Sequence, residues 1–174
     1  DENPTGVYHR RFTLPKRWQK RRTVLHFGGA ESVLYVFVNG RPVGMSKDSR
    51  LPAEFDISDA LVAGENSVAA VVVPRSDASY LEDQDHWWMG GLHGEVYAYS
   101  VPEVSIADVF ARGDLDETCR EGTLRVHARV HFPERVPEGW RVTAQLYKPT
   151  GGATFSSPIE TAVQSDPESA PIFR

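Results

Sequence analysis

Cysteine is nearly absent: Cys119 is the only one in 174 residues. A lone thiol excludes an intrachain disulfide and a cysteine zinc site. It fits a reducing, cytoplasmic setting. Long apolar runs are missing too. None approaches the roughly 20 residues that a bilayer span needs, so no membrane partner is expected. Positive charge is in the minority, with 19 Lys and Arg against 24 Asp and Glu. The resulting net charge of −5 argues against nucleic acid as a partner. No phosphate-cradling glycine loop, nucleophile elbow or metal-binding His-Glu motif occurs. Internal repeats and low-complexity tracts are absent. No initiator methionine or signal sequence precedes Asp1, which reads as a piece of a longer parent.

What is present is a series of short strand patterns. Apolar residues make up 40% and charged residues 25%, the balance of a globular chain. Residues 7–14 carry Tyr8 and Phe12 at even spacing around Arg10. Residues 23–27 form a short strand that Gly28-Gly29 breaks. Residues 33–38 are apolar at every position, so both faces are expected to be covered. Asn39-Gly40 is the strongest hairpin signal, since both residues tolerate the positive φ of a type I′ turn. Residues 41–46 return, with Pro42 near the start, where a missing N–H costs least. Residues 57–61 can make one helical turn capped by Ser58 or Asp59. Residues 67–73 are dense in Val and Ala and read as a buried strand. Residues 96–101 close a first block.

A second block starts near Pro102. Residues 104–111 read as a strand and residues 112–122 as a polar loop. Residues 123–132 alternate cleanly, Leu124, Val126, Ala128 and Val130 against Arg125, His127, Arg129 and His131, the pattern of a half-buried strand. His127 and His131 would lie roughly 13 Å apart along such a strand, too far to share a metal. Residues 141–147 are expected to partner this strand. Residues 164–174 are rich in Ser, Asp, Pro and Glu and are expected to be poorly ordered. Many short strands without a long helical period predict an all-β chain: a β-sandwich or jelly roll over residues 1–101, then an immunoglobulin-like β-sandwich over 102–174. The second copy is short for such a domain and is expected to be incomplete.

The chemistry is concentrated in residues 76–96. Asp77, Glu82, Asp83 and Asp85 stand there with Gln84, His86, His93, Trp87 and Trp88. Carboxylates accept hydrogen bonds from sugar hydroxyls, and aromatic rings stack on sugar C–H faces. An ordered loop whose acids cap turns fits the same residues equally well. Catalysis by Asp83 with Asp85 is disfavoured, because working carboxylate pairs come from separate elements flanking the bond.

Five segments then occur in order: Asn3-Pro-Thr-Gly6, Phe37-Val-Asn-Gly-Arg-Pro-Val-Gly44, Asp48-Ser-Arg-Leu-Pro-Ala-Glu-Phe-Asp56, Ala63-Gly-Glu-Asn66 and Ser76-Asp-Ala-Ser-Tyr-Leu-Glu-Asp-Gln-Asp-His-Trp87. Together they resemble the N-terminal sugar-binding jelly roll of the large β-galactosidases of glycoside hydrolase family two. The resemblance covers residues 3–100. The second block resembles the start of that family's immunoglobulin-like domain by position.

The resemblance implies a parent that hydrolyses terminal β-galactosides with retention, using two glutamates in a (β/α)₈ barrel. Neither glutamate motif is present, and a barrel of about 250 residues has no room here. The chain is expected to be catalytically silent, with no cofactor of its own and with sodium and magnesium in the parent. Its expected partners are a galactoside, the rest of the parent chain and further copies of the parent. By resemblance, Asp85 contacts galactose hydroxyls and helps bind sodium, tasks that suit a carboxylate. Asp77 matches a position near a structural magnesium. Lys47 stands where the family has a glutamine, and its charge would repel that cation. Gly94 replaces an arginine, which removes an ion-pair anchor of the loop. Trp87 is expected to pack the loop, and Glu82 and Asp83 to stabilise turns. A free-standing carbohydrate-binding module and a structural subunit-contact domain remain alternatives. A missing edge strand before Asn3 would favour self-association.

Overall fold

The computed structural model describes residues 2–85, 87–134 and 137–164. The chain divides into two compact units, with the boundary between Pro102 and Glu103. The described residues are all-β apart from two 3₁₀ turns and one helix of four residues.

The first unit is a jelly-roll β-sandwich. Its strands are β1 (Gly6–Thr13), β2 (Arg22–Phe27), β3 (Ala30–Glu31), β4 (Val33–Val38), β5 (Arg41–Ser46), β6 (Ala53–Asp56), β7 (Glu65–Val73), β8 (Gly91–Leu92) and β9 (Val96–Val101). One antiparallel sheet runs β1-β7-β4-β5, a second runs β6-β2-β9, and β3 pairs with β8 in a short third. Leu25, Phe27 and Phe55 from the second sheet meet Leu34, Val36, Val38, Ala70 and Val72 from the first. Phe27 and Phe55 meet edge to face at a centroid distance of 6.1 Å. Burying each such ring contributes about 1.5–3 kcal/mol.

Leu34, Val36 and Val38 point into the core, whereas Tyr35 on the opposite face is 40% exposed. On that second face Val33 is buried at 4% and Phe37 is half-buried, so the outer face of the run is covered at its start and opens at Tyr35. Asn39 and Gly40 have φ of 51° and 76°, the two positive angles of a type I′ turn. The Asn39 amide donates to Ala60 O and to Asn66 Oδ1, and its Oδ1 accepts from Ser67 N. Asn66 is buried and bonds Val62 N and O and Gly64 O. One side-chain network thereby joins the hairpin tip to the β6–β7 connection. On the outer face of the second sheet, His26 Nδ1 lies 2.8 Å from Glu54 Oε1 and Tyr99 donates to the same oxygen. Burial, then the Glu54 charge, pushes the Tyr99 phenol up to about 12.

The second unit contains β10 (Ser105–Leu115) paired with β11 (Gly122–His131), and β12 (Arg141–Ala144) paired with β13 (Ile159–Ala162). Two expectations are corrected here. The partner of β11 is β10, and residues 141–144 pair with 159–162. The cause is a tight connection: Asp116 Oδ1 accepts the amides of Arg120 and Glu121, with Cys119 at φ 55°. Thr118 Oγ1 also donates to Asp116, and this cluster holds its carboxyl down at about 2. The apolar face of β11 is also not covered among the described residues. Leu124 and Val126 remain 47% and 45% exposed. The expectation for residues 165–174 lies outside the described residues.

Candidate functional site

Residues 74–95 form a long excursion between β7 and β9, and many of its contacts hold it to the rest of the unit. Its N-terminal root is fixed by Asn3, whose amide group donates to Arg75 O and accepts from Arg75 N. The Asn-Pro-Thr-Gly motif therefore works here as a backbone clamp. Ser76 Oγ lies 2.6 Å from Ser32 Oγ and accepts the Ala78 amide, while Ser79 Oγ accepts the Ser76 amide. These bonds start helix α1 (Ala78–Leu81).

The segment after β5 holds both ends of α1. Lys47 Nζ donates to both oxygens of Asp77, at 2.8 and 3.0 Å. The bond from Lys47, then its charge, lowers the Asp77 carboxyl; the same pair raises the Lys47 ammonium. Two residues on, Ser49 N and Oγ donate to the two oxygens of Glu82, at 2.9 and 2.5 Å. Asp48 Oδ1 accepts the amides of Arg50 and Leu51, which shapes this segment into a turn. Glu82 is therefore structural, as expected.

The C-terminal root is fixed from β3. Glu31 is 2% exposed, and its Oε2 accepts the amides of Met89 and Gly90 at 2.7 and 3.0 Å. Arg50 Nη2 sits 3.8 Å from Glu31 Oε1 and donates to Trp87 O at 3.2 Å. Neither Glu31 nor Arg50 was singled out from the sequence. A lone acid in a short apolar-flanked strand was the available signal. His93 Nε2 meets Ser49 O at 2.8 Å. Gly94 lies against the backbone of Gly28 and Gly29: a Cβ there would come within 2.4 Å of Gly28 C. The expected loss of an ion-pair anchor at Gly94 is thus offset by direct backbone packing and by His93.

Between these roots the tip is open. Asp85 is exposed, and no described residue hydrogen-bonds its carboxylate. Trp87 and Trp88 are 84% and 54% exposed, and Tyr80 and Leu81 are 88% and 87% exposed. The expectation that Trp87 packs the loop is corrected. Its ring stands in solvent, apart from the core that Phe27, Leu34, Phe55 and Ile57 build. His86 lies outside the described residues. A cleft of about 820 Å³ runs beside the loop, lined by Glu31, Arg75, Ser76, Tyr80, Asp83 and Trp88 among others. Asp85 is not part of its lining.

Neither implied metal is built by these residues. Among the described residues no group of three or more His, Cys, Asp or Glu could hold an ion. Asp85 stands in no such group among the described residues. At Asp77 the Lys47 ammonium already engages both oxygens. His127 and His131 stand on β11 four residues apart, away from any such cluster. No described helix is long and apolar enough to cross a membrane.

Residues 1–102 match the family model described as glycosyl hydrolases family 2, sugar binding domain. A β-galactosidase of Priestia megaterium (strain DSM 319 / IMG 1521) is 41% identical over 160 residues, covering 91% of this chain and 16% of that protein. A β-galactosidase of Psychromonas ingrahamii is 46% identical over 125 residues, covering 72% of this chain and 12% of that protein. The chain thus spans less than a fifth of either relative's length. In structure, a Bacteroides uniformis β-glucuronidase superposes with a TM-score of 0.79 at 21% identity, over 94% of this chain and 20% of that one. A Bifidobacterium dentium β-glucuronidase complexed with coumarin-3-O-glucuronide gives a TM-score of 0.74 at 20% identity, over 91% of this chain and 31% of that one. At that identity the likeness is one of fold.

Proposed function

We propose, from the premise that this chain belongs to glycosyl hydrolase family 2 and carries its sugar-binding domain, that it is the non-catalytic, substrate-positioning portion of a retaining β-galactosidase. The first unit presents the loop, and the second is the start of an immunoglobulin-like domain. Both catalytic glutamates belong to a barrel elsewhere in the parent, so the chain alone is inactive. Its partners are a terminal β-galactoside, the rest of the parent chain and further copies of the parent.

One observation carries this reading: Asp85 is an exposed carboxylate without a described partner, at the tip of a loop whose two roots are tied down. A carboxylate kept free in this way accepts hydrogen bonds from two hydroxyls of a sugar ring, and fixing the loop removes the ordering cost from each encounter. Its role is positioning: it holds the galactose ring while chemistry occurs on other residues.

The test is Asp85→Ala in the full-length parent, with kcat/KM measured on an aryl β-galactoside. Losing charge-assisted hydrogen bonds worth about 1.5–3 kcal/mol lowers kcat/KM by roughly 10- to 150-fold. An unchanged value overturns the assignment. The isolated chain is expected to bind galactose negligibly, because the subsite is shared with the barrel. Saturable millimolar binding by the chain alone would favour an independent carbohydrate-binding module instead.

A further inference from the structure

We propose that Lys47 is the resident cation of the loop root: its ammonium takes the place at Asp77 that a divalent ion would otherwise fill, so the loop is held without metal. The geometry is specific. Residues 47 and 49, in the segment after β5, reach Asp77 and Glu82, which flank the four-residue helix α1 on its two sides. Lys47 Nζ bonds both Asp77 oxygens, at 2.8 and 3.0 Å, so the carboxylate's charge is already met. Magnesium needs octahedral oxygen ligands at about 2.0–2.1 Å, and binding Asp77 would bring a divalent charge up against the ammonium. Among the described residues Asp77 belongs to no group of three or more His, Cys, Asp or Glu that could offset that repulsion. The ammonium also differs from a metal in kind. It is covalently part of β5's exit, so it is never lost to dilution or chelation and tethers two chain segments directly. Its consequence rests on the reading of Asp85 above: the height at which the tip is held becomes independent of divalent ions, and Lys47 acts as a positioning residue.

Hydrogen exchange of the α1 amides, read on the 174-residue chain, tests this. Ser79, Tyr80 and Glu82 amides donate within the turn and report its opening. In the unmodified chain their exchange is the same in EDTA and in millimolar MgCl₂. Lys47→Met speeds it by about two- to fivefold, the range an exposed ion pair supports. Lys47→Arg restores the slow rate, and magnesium does not rescue Lys47→Met. Slower exchange on adding magnesium to the unmodified chain overturns the proposal, and so does a Lys47→Met chain that exchanges at the original rate. Asp85→Ala leaves α1 exchange unchanged. If that variant also left kcat/KM of the parent unchanged, the sugar reading would fall while the lysine tether stood.

Discussion

The roots and the tip of the 74–95 loop are built from the same residue types and behave in opposite ways. At the roots, Glu31 and Glu82 spend both carboxylate oxygens on named partners or an arginine. At the tip, Asp85 has no described partner. Tryptophan shows the same split within itself: the Trp87 carbonyl accepts from Arg50, while its ring stands in solvent. Composition therefore does not distinguish a structural acid from a functional one. What separates them is whether a donor lies within reach in the fold, and that depends on segments 33 residues away in sequence for Glu82 and 58 or 59 for Glu31.

The sharpest way to break this contrast is Glu31→Ala. It leaves the Met89 and Gly90 amides without an acceptor and Arg50 without its counter-charge. A cost of about 3 kcal/mol is expected in urea unfolding of the chain, tempered because Arg50 is 32% exposed. Glu31→Gln, which keeps an acceptor oxygen, should recover part of that loss. A cost within measurement error would mean that the C-terminal root is not held from β3.

Glu82→Ala follows, at about 1–2 kcal/mol, since Ser49 is fully buried and loses the acceptor of both its amide and its hydroxyl. Ser49→Ala should cost less, because the backbone bond survives. The order of the two variants, read from the same unfolding midpoints, decides whether Glu82 acts through the backbone or the hydroxyl.

The ion pair at the N-terminal root responds to pH at both ends of the scale. Asp77 is held below its ordinary value of 3.8, so its contribution is complete above that value and is lost as pH falls through it. Lys47 is held above 10.5, so its contribution is complete below that value and is lost as pH rises past it. Hydrogen exchange at α1, corrected for intrinsic rates, should therefore be slowest relative to a Lys47→Met chain across the range between. A ratio that stays constant from acid to alkaline conditions would show that the pair does not hold the root.

Much of the sandwich was legible in the sequence because its signals are local. Asn39-Gly40 has the φ signs that its residue types favour, and β2, β4, β7 and β9 fall where apolar runs end at glycine or proline. Alternation was less informative about cover. In β11 it separates Leu124, Val126 and Ala128 from Arg125 and His127, yet those apolar side chains stay exposed among the described residues. A period of two says which residues share a face and nothing about what lies against it. For the site, the acids of residues 76–96 were visible as a set, but their division of labour was not. Glu82 and Asp77 were assigned by partners at Ser49 and Lys47, and Glu31 entered only through the β3–β8 pairing. The exposure of Trp87 is illegible for the same reason: its size favours burial, and nothing local in the sequence says that the fold leaves the ring in solvent.

The smallest expected effect is the one that most sharpens the contrast. Trp87→Ala removes the largest side chain from the tip, and a tryptophan that packed a core would cost about 3–5 kcal/mol on truncation. With the ring 84% exposed, the expected change in unfolding free energy is within about 0.5 kcal/mol. The carbonyl that Arg50 uses is untouched by the substitution, so the tether at that residue survives. Trp87 fluorescence is therefore expected to be quenched readily by iodide or acrylamide in the folded chain, with Trp87→Phe as the reference that isolates its signal from the three remaining tryptophans. In the full-length parent the same ring is expected to become protected, because a tip that completes a shared sugar subsite is covered by the chain that shares it. A Trp87 equally open to quencher in both settings would leave the tip free in solution and remove the geometric basis for its contact with the barrel.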